Sequence, residues 1–104
     1  MIGIDVVSVE RIDMTNKRFI EMVLTEDERR ELALYSADSR RKEYIAGRFA
    51  AKEAIFKATQ DRDYLKYAIL HETSGRPYVK DHPEISVSIS HDGGIAAAIV
   101  MIQK

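Results

Sequence analysis

The chain has 104 residues, 45% of them hydrophobic and 32% charged, which predicts one domain over 1–104 with a single core. It contains no cysteine, which excludes disulfides and thiolate metal sites, and no long apolar run or signal peptide, so the expected location is the cytoplasm. Lys and Arg total 16 against 17 Asp and Glu, a net charge of −1 that makes no case for nucleic-acid or membrane binding.

In "MIGIDVVSV" Ile2, Ile4 and Val6 alternate with Gly3, Asp5 and Val7, the two-residue period of a strand, so Asp5 points away from Ile4. Ser8 is placed to cap a short helix over 9–14, and a second short helix is expected over 16–23. Thr25 and Glu28 in "TEDE" form a capping-box pattern that predicts a helix from Glu26 to about Tyr35. Asp38 or Ser39 opens the longest helix, which runs to about Thr59 and leaves through "DRD". Beyond it, "YAILHE", "PYVK", "EISVSIS" and "IAAAIVMI" are strand-length runs separated by the turn sequences "TSGR", "DHP" and "HDGG". Ile85, Val87 and Ile89 take one face and Ser86, Ser88 and Ser90 the other, with a hairpin at "HDGG". The expected fold is α+β: an antiparallel sheet packed against one long helix and shorter helices.

The long helix carries unusual charges. On a wheel of about 100° per residue, Ile45, Phe49 and Phe56 share one stripe, Ala46, Ala50 and Ala54 an adjoining one, and Glu53 falls between them. So many small residues let other backbones approach, which implies burial on several sides. A carboxylate there needs a cation, hydrogen bonds or a metal. Two readings are open: Glu53 and Lys57 pair with each other at i,i+4, or Glu53 shares a divalent hard cation with Asp5, the one charge inside the first strand. Lys52 is expected to lay its stem over the Phe49/Phe56 stripe and put its ammonium in solvent.

With "GIDVVSVERI", "YIAGRFAAKEAIFKA", "SGRPYV" and "VSISHD" in that order, the chain resembles the holo-[acyl-carrier-protein] synthase group of the 4'-phosphopantetheinyl transferase superfamily. The resemblance implies Mg²⁺-dependent transfer of 4'-phosphopantetheine from coenzyme A to a serine of an apo acyl carrier protein, in fatty acid biosynthesis, with release of adenosine 3',5'-bisphosphate. It implies Asp5 and Glu53 as metal ligands, Lys57 on a phosphate oxygen, and Glu53 or a water it orients as acceptor of the serine proton. Arg48 and the 40–42 cluster, Arg40 above all, are expected at the nucleotide's phosphates, and Pro77, Ser90 and His91 at the nucleotide. Acidic carrier proteins would dock on Arg11, Met14, Lys17, Arg18 and Phe19. The group assembles as homotrimers with sites at subunit interfaces, with which an apolar face over Ile95 to Ile102 is compatible.

His71 and His82 match no motif and read as structural or solvent-exposed. The chain departs from the family after Lys57, where a glycine-containing loop along the lines of KALGTG gives way to "KATQDRDYLKY", and the segment before Phe19 is shorter. Paired carboxylates with cations also fit a Mg²⁺-dependent phosphohydrolase, and the same fold could serve as a catalytically inactive binding module.

Overall fold

A computed structural model describes residues 1–103. Strand β1 (Ile2–Ser8) leads through a 3-10 turn (Val9–Arg11) to helices α1 (Lys17–Val23), α2 (Glu26–Leu32) and α3 (Asp38–Thr59). A second 3-10 turn (Tyr64–Lys66) precedes β2 (Ile69–His71), β3 (Pro77–Val79), β4 (Ile85–Asp92) and β5 (Ile95–Ile102). The strands form two antiparallel sheets, one in the order β1-β5-β4 and one of β2 with β3. This is the expected α+β arrangement, with α3 packed across β1, β5 and β4. None of the described helices is long and apolar enough to cross a membrane.

Local chemistry explains the boundaries. The Asn16 side chain accepts from the Phe19 N–H at the start of α1, and both bonds of the Thr25–Glu28 capping box are present at α2. The helix expected over 9–14 shrinks to one 3-10 turn. Asp13 Oδ1 accepts from the N–H and hydroxyl of Thr15, a local turn that competes with helix. Helix α2 stops three residues short of Tyr35, where i,i+3 backbone bonds tighten the chain and the Arg41 guanidinium takes the carbonyls of Leu32 and Tyr35. Between β4 and β5, Gly93 and Gly94 adopt φ of +56° and +78°, the backbone a two-residue hairpin loop demands.

The alternation of β1 places Asp5 towards the helix, as its expected partnership with Glu53 requires. Gly3, Asp5 and Val7 face α3, while Ile2, Ile4 and Val6 are about 60% exposed. They lie on the outer face beside Met101, Ile99 and Ala97 of β5, with Ser86, Ser88 and Ser90 of β4 at the margin. On the inner face β1 nearly touches the helix: a Cβ added to Gly3 would stand 1.9 Å from the Ala54 carbonyl oxygen. That approach needs glycine on one side and alanine on the other, and it brings Asp5 alongside the next turn of α3.

The opposite side of α3 holds a buried ionic cluster. Lys52 is 1% exposed and donates to the Val23 carbonyl and Glu28 Oε1, so the expectation that its ammonium reaches solvent is corrected. Burial pushes the Lys52 ammonium below its ordinary pKa, an effect that Glu28 opposes. Glu28 Oε2 also accepts from the Ile69 N–H at 2.8 Å, Glu31 Oε2 accepts from the His71 N–H at 2.9 Å, and Arg48 Nε donates to the Ile69 carbonyl at 3.0 Å. Three side chains thus occupy the edge of β2 where another strand would pair. This satisfies its backbone and closes an edge open to aggregation.

Candidate functional site

The contact of β1 with α3 forms one wall of a cavity of ≈ 360 Å³ lined by Asp5, Arg11, Ile12, Phe19, Phe49 and Glu53, among others. Asp5 and Glu53 are brought together here from positions 48 residues apart in the chain. Each carboxylate has its own cation. Lys57 Nζ stands 3.1 Å from Asp5 Oδ1 and donates to the Ile4 carbonyl at 2.9 Å, while Arg62 lies 3.6 Å from Glu53 Oε2. Lys57 therefore pairs with the sheet and Glu53 with the following loop, in place of the i,i+4 pair. Tyr64 lies beside Glu53, and burial followed by that carboxylate raises its hydroxyl pKa. Among the described residues no three His, Asp or Glu side chains form a metal cluster. Two carboxylates in one open cavity could hold a hard divalent cation that takes its other oxygens from water or phosphate.

A second cavity, ≈ 400 Å³, opens at the N-terminal half of α3 between Tyr35, Arg40, Glu43, Tyr44, Arg48, His71, Pro77 and His91. His91 reaches it from β4, with Nε2 3.1 Å from the Glu43 carbonyl; a carbonyl only accepts, so Nε2 donates. Gly47 makes room for this, since a Cβ there would stand 3.1 Å from Ile89 and 3.2 Å from His91 Nε2. Arg40 is an exposed rim cation, 3.8 Å from Glu43 and stacked on Tyr35. Arg48 lines the same cavity but is 2% exposed: its guanidinium lies over Tyr44, bonds Ile69 O, and is 3.2 Å from Glu31 and from His71 Nδ1. Its Nε and one terminal nitrogen are bonded within the protein, and Arg40 is the more exposed cation of this cavity. Ser90 faces the outer side of the sheet, away from this cavity.

The residues expected to meet a carrier protein flank the first cavity. Arg11 is exposed at its rim, Met14 is half-buried, and Lys17 and Arg18 are exposed on or beside α1. Phe19 packs edge-on against Phe49 at 5.3 Å and lines the cavity, so it belongs to the core and to the wall at once.

Two residues escaped the sequence reading. His71, taken as structural or exposed, sits in the second cavity; burial and the neighbouring Arg48 push its pKa down. The only signal was its place at the end of "YAILH". Arg62, read as part of a helix exit, folds back over Phe56 to reach Glu53. A loop arginine within ten residues of a carboxylate on the preceding helix was the available hint.

Residues 1–100 match the model of the 4'-phosphopantetheinyl transferase superfamily. A holo-[acyl-carrier-protein] synthase of a Geobacillus species is 39% identical, the alignment covering 99% of this chain and 95% of that protein. One from Listeria welshimeri is 40% identical over 98% of this chain and 96% of its own. The crystal structure of the Bacillus anthracis holo-(acyl-carrier-protein) synthase, in complex with CoA (3',5'-ADP), superposes with a TM-score of 0.84 at 34% identity, covering 97% of this chain and 93% of that one. The Helicobacter pylori enzyme in complex with coenzyme A gives 0.77 at 34% identity, over 99% and 100%.

Proposed function

Because this chain belongs to the 4'-phosphopantetheinyl transferase superfamily, in its holo-[acyl-carrier-protein] synthase group, we propose that it moves 4'-phosphopantetheine from coenzyme A to a serine of apo acyl carrier protein, with Mg²⁺ held by Asp5 and Glu53. The observation that carries this reading is the shared cavity of those two carboxylates, each beside a cation that can turn to a phosphate.

The serine oxygen attacks the β-phosphorus of the diphosphate. A new P–O bond forms to the carrier, and the bond to the adenosine 3',5'-bisphosphate oxygen breaks. Bound Mg²⁺ would supply charge stabilisation for the diphosphate oxygens. Lys57, released from Asp5, donates to a phosphate oxygen as charge builds there. Glu53, or a water it orients, accepts the serine proton. At the other end of α3, Arg40, Arg48, Pro77 and His91 hold the nucleotide, and Arg48 also fastens β2 through its bond to the Ile69 carbonyl.

Arg11, Met14, Arg18 and Phe19 form the docking surface: the cations steer an acidic carrier and the apolar groups anchor it beside the cavity. The outer face of Ile2, Ile4, Val6, Ile99 and Met101 is too apolar to stay in water. Copies of the chain cover it in a homotrimer, which also brings Ser90 of one copy towards a neighbour's nucleotide cavity. The reaction belongs to fatty acid biosynthesis in the cytoplasm.

Intact-mass analysis of an apo acyl carrier protein incubated with this protein, coenzyme A and Mg²⁺ tests the proposal. A gain of one phosphopantetheine that disappears with a chelator is the expected result. Nucleotide release from an unmodified carrier indicates a phosphohydrolase, and neither change indicates a binding module.

A further inference from the structure

Arg62 belongs to the loop after α3, yet it turns back along the helix. Its guanidinium lies 3.7 Å over the Phe56 ring, NH1 donates to the Tyr64 hydroxyl at 3.3 Å, and the same nitrogen stands 3.6 Å from Glu53 Oε2. The backbone that presents it is pinned on both sides. Asp61 donates its N–H to Thr59 Oγ1, accepts from the Asp63 N–H, and takes Lys66 Nζ and the Tyr67 hydroxyl on its other oxygen. Those bonds commit the Asp61 carboxylate away from Arg62, and Asp63 is exposed to solvent.

The two carboxylates that line the first cavity therefore each have a cation, Asp5 with Lys57 and Glu53 with Arg62. Both cations are more than half exposed, so each ion pair is weak and can exchange its carboxylate for another anion. A guanidinium stacked on an aromatic ring is held flat, and its remaining N–H groups suit the parallel oxygens of a phosphate.

We propose that Arg62 is a second diphosphate-binding cation beside Lys57, poised on Glu53 in the free protein and transferred to the diphosphate of coenzyme A when substrate binds. The proposal rests on the transferase reading given above. It commits to the diphosphate rather than to the nucleotide's 3'-phosphate, because Arg62 is held at the Glu53 carboxylate and does not line the Arg40–His91 cavity.

The test is a calorimetric titration of the parent protein, Arg62→Gln and Arg62→Lys with coenzyme A and, separately, with adenosine 3',5'-bisphosphate, all in Mg²⁺. The bisphosphate lacks the diphosphate. Arg62→Gln is expected to bind coenzyme A about 10-fold or more weakly, as for loss of one charge-assisted hydrogen bond, and the bisphosphate less than about 3-fold more weakly. Arg62→Lys recovers part of the loss. Mg²⁺ alone binds Arg62→Gln no more weakly than the parent, since a competitor for Glu53 has gone. Unchanged coenzyme A affinity, an equal loss for both ligands, or a loss of Mg²⁺ affinity as large as that for coenzyme A would each overturn the proposal. A parent protein that binds coenzyme A but leaves the carrier's mass unchanged defeats the transferase reading instead.

Discussion

Lys52 and Glu53 are neighbours on α3, yet they belong to two different regions. On the side facing α2 and β2, Lys52 and Arg48 are almost wholly buried, and they bond Glu28, Glu31 and the carbonyls of Val23 and Ile69. On the side facing β1, Glu53 and Lys57 line or border an open cavity, with Arg62 and Asp5 as exchangeable partners. Identical residue types on one helix thus do opposite work. Where desolvation is complete, a charge must be locked by bonds that cannot leave, and it becomes scaffold. Where water still reaches, the partners are weakly held and free to meet a substrate.

The open side should break first in activity. Asp5→Asn and Glu53→Gln each remove a charged oxygen ligand with little change of shape, and each is expected to lower transfer by roughly 10²–10³-fold or more. The melting temperature should barely move, because the half-exposed pairs they disturb are worth about 0–1 kcal/mol. Normal turnover by both variants across a Mg²⁺ titration would remove the carboxylate pair from the site.

A smaller effect is expected at the rim of the same cavity. Arg11→Glu or Arg18→Glu should raise KM for the carrier by roughly 10-fold and leave KM for coenzyme A nearly unchanged, since charge reversal acts on steering. Raising the ionic strength to about 0.5 M, where the Debye length is only a few ångströms, should slow the parent towards the variants. If the reversed variants keep the parent's carrier kinetics at low salt, the docking surface lies elsewhere.

On the closed side the smallest effect is a pH dependence of stability. Burial holds His71 below its ordinary pKa, so the unfolded chain takes up a proton before the folded one does. Its contribution is fully present above about pH 6.5 and is lost as the pH falls from there through the folded value. The melting temperature should decline over this range, and His71→Gln should flatten the decline. An unaltered profile in the variant would mean that His71 keeps its ordinary pKa.

These two regions differed in how far the sequence displayed them. Asp5 and Glu53 stood out because each is a charge in an apolar element, and the Gly3–Ala54 contact then requires their elements to meet. The long helix, the capping box at Thr25 and the hairpin at Gly93–Gly94 were equally legible, being written in neighbouring residues. The buried cluster was not. Lys52 meets Glu28 from 24 positions away, and Glu28 meets the Ile69 N–H from 41. No local period marks a lysine whose partner lies on another helix, so the ordinary expectation of a solvated ammonium prevailed. The inward turn of Arg62 was hidden for the same reason: it depends on what packs against the loop.

The division of α3 is tested most directly by comparing Lys52→Met with Lys57→Met, measuring both the unfolding free energy and kcat/KM for the carrier. Lys52→Met leaves Glu28 buried without its cation and should lose about 3–5 kcal/mol of stability, while the folded fraction keeps near-parent kcat/KM. Lys57→Met should change stability by less than about 1 kcal/mol and cost about 2–4 kcal/mol in kcat/KM. Similar losses of activity from both, or a stable Lys52→Met, would contradict the separation of scaffold from site.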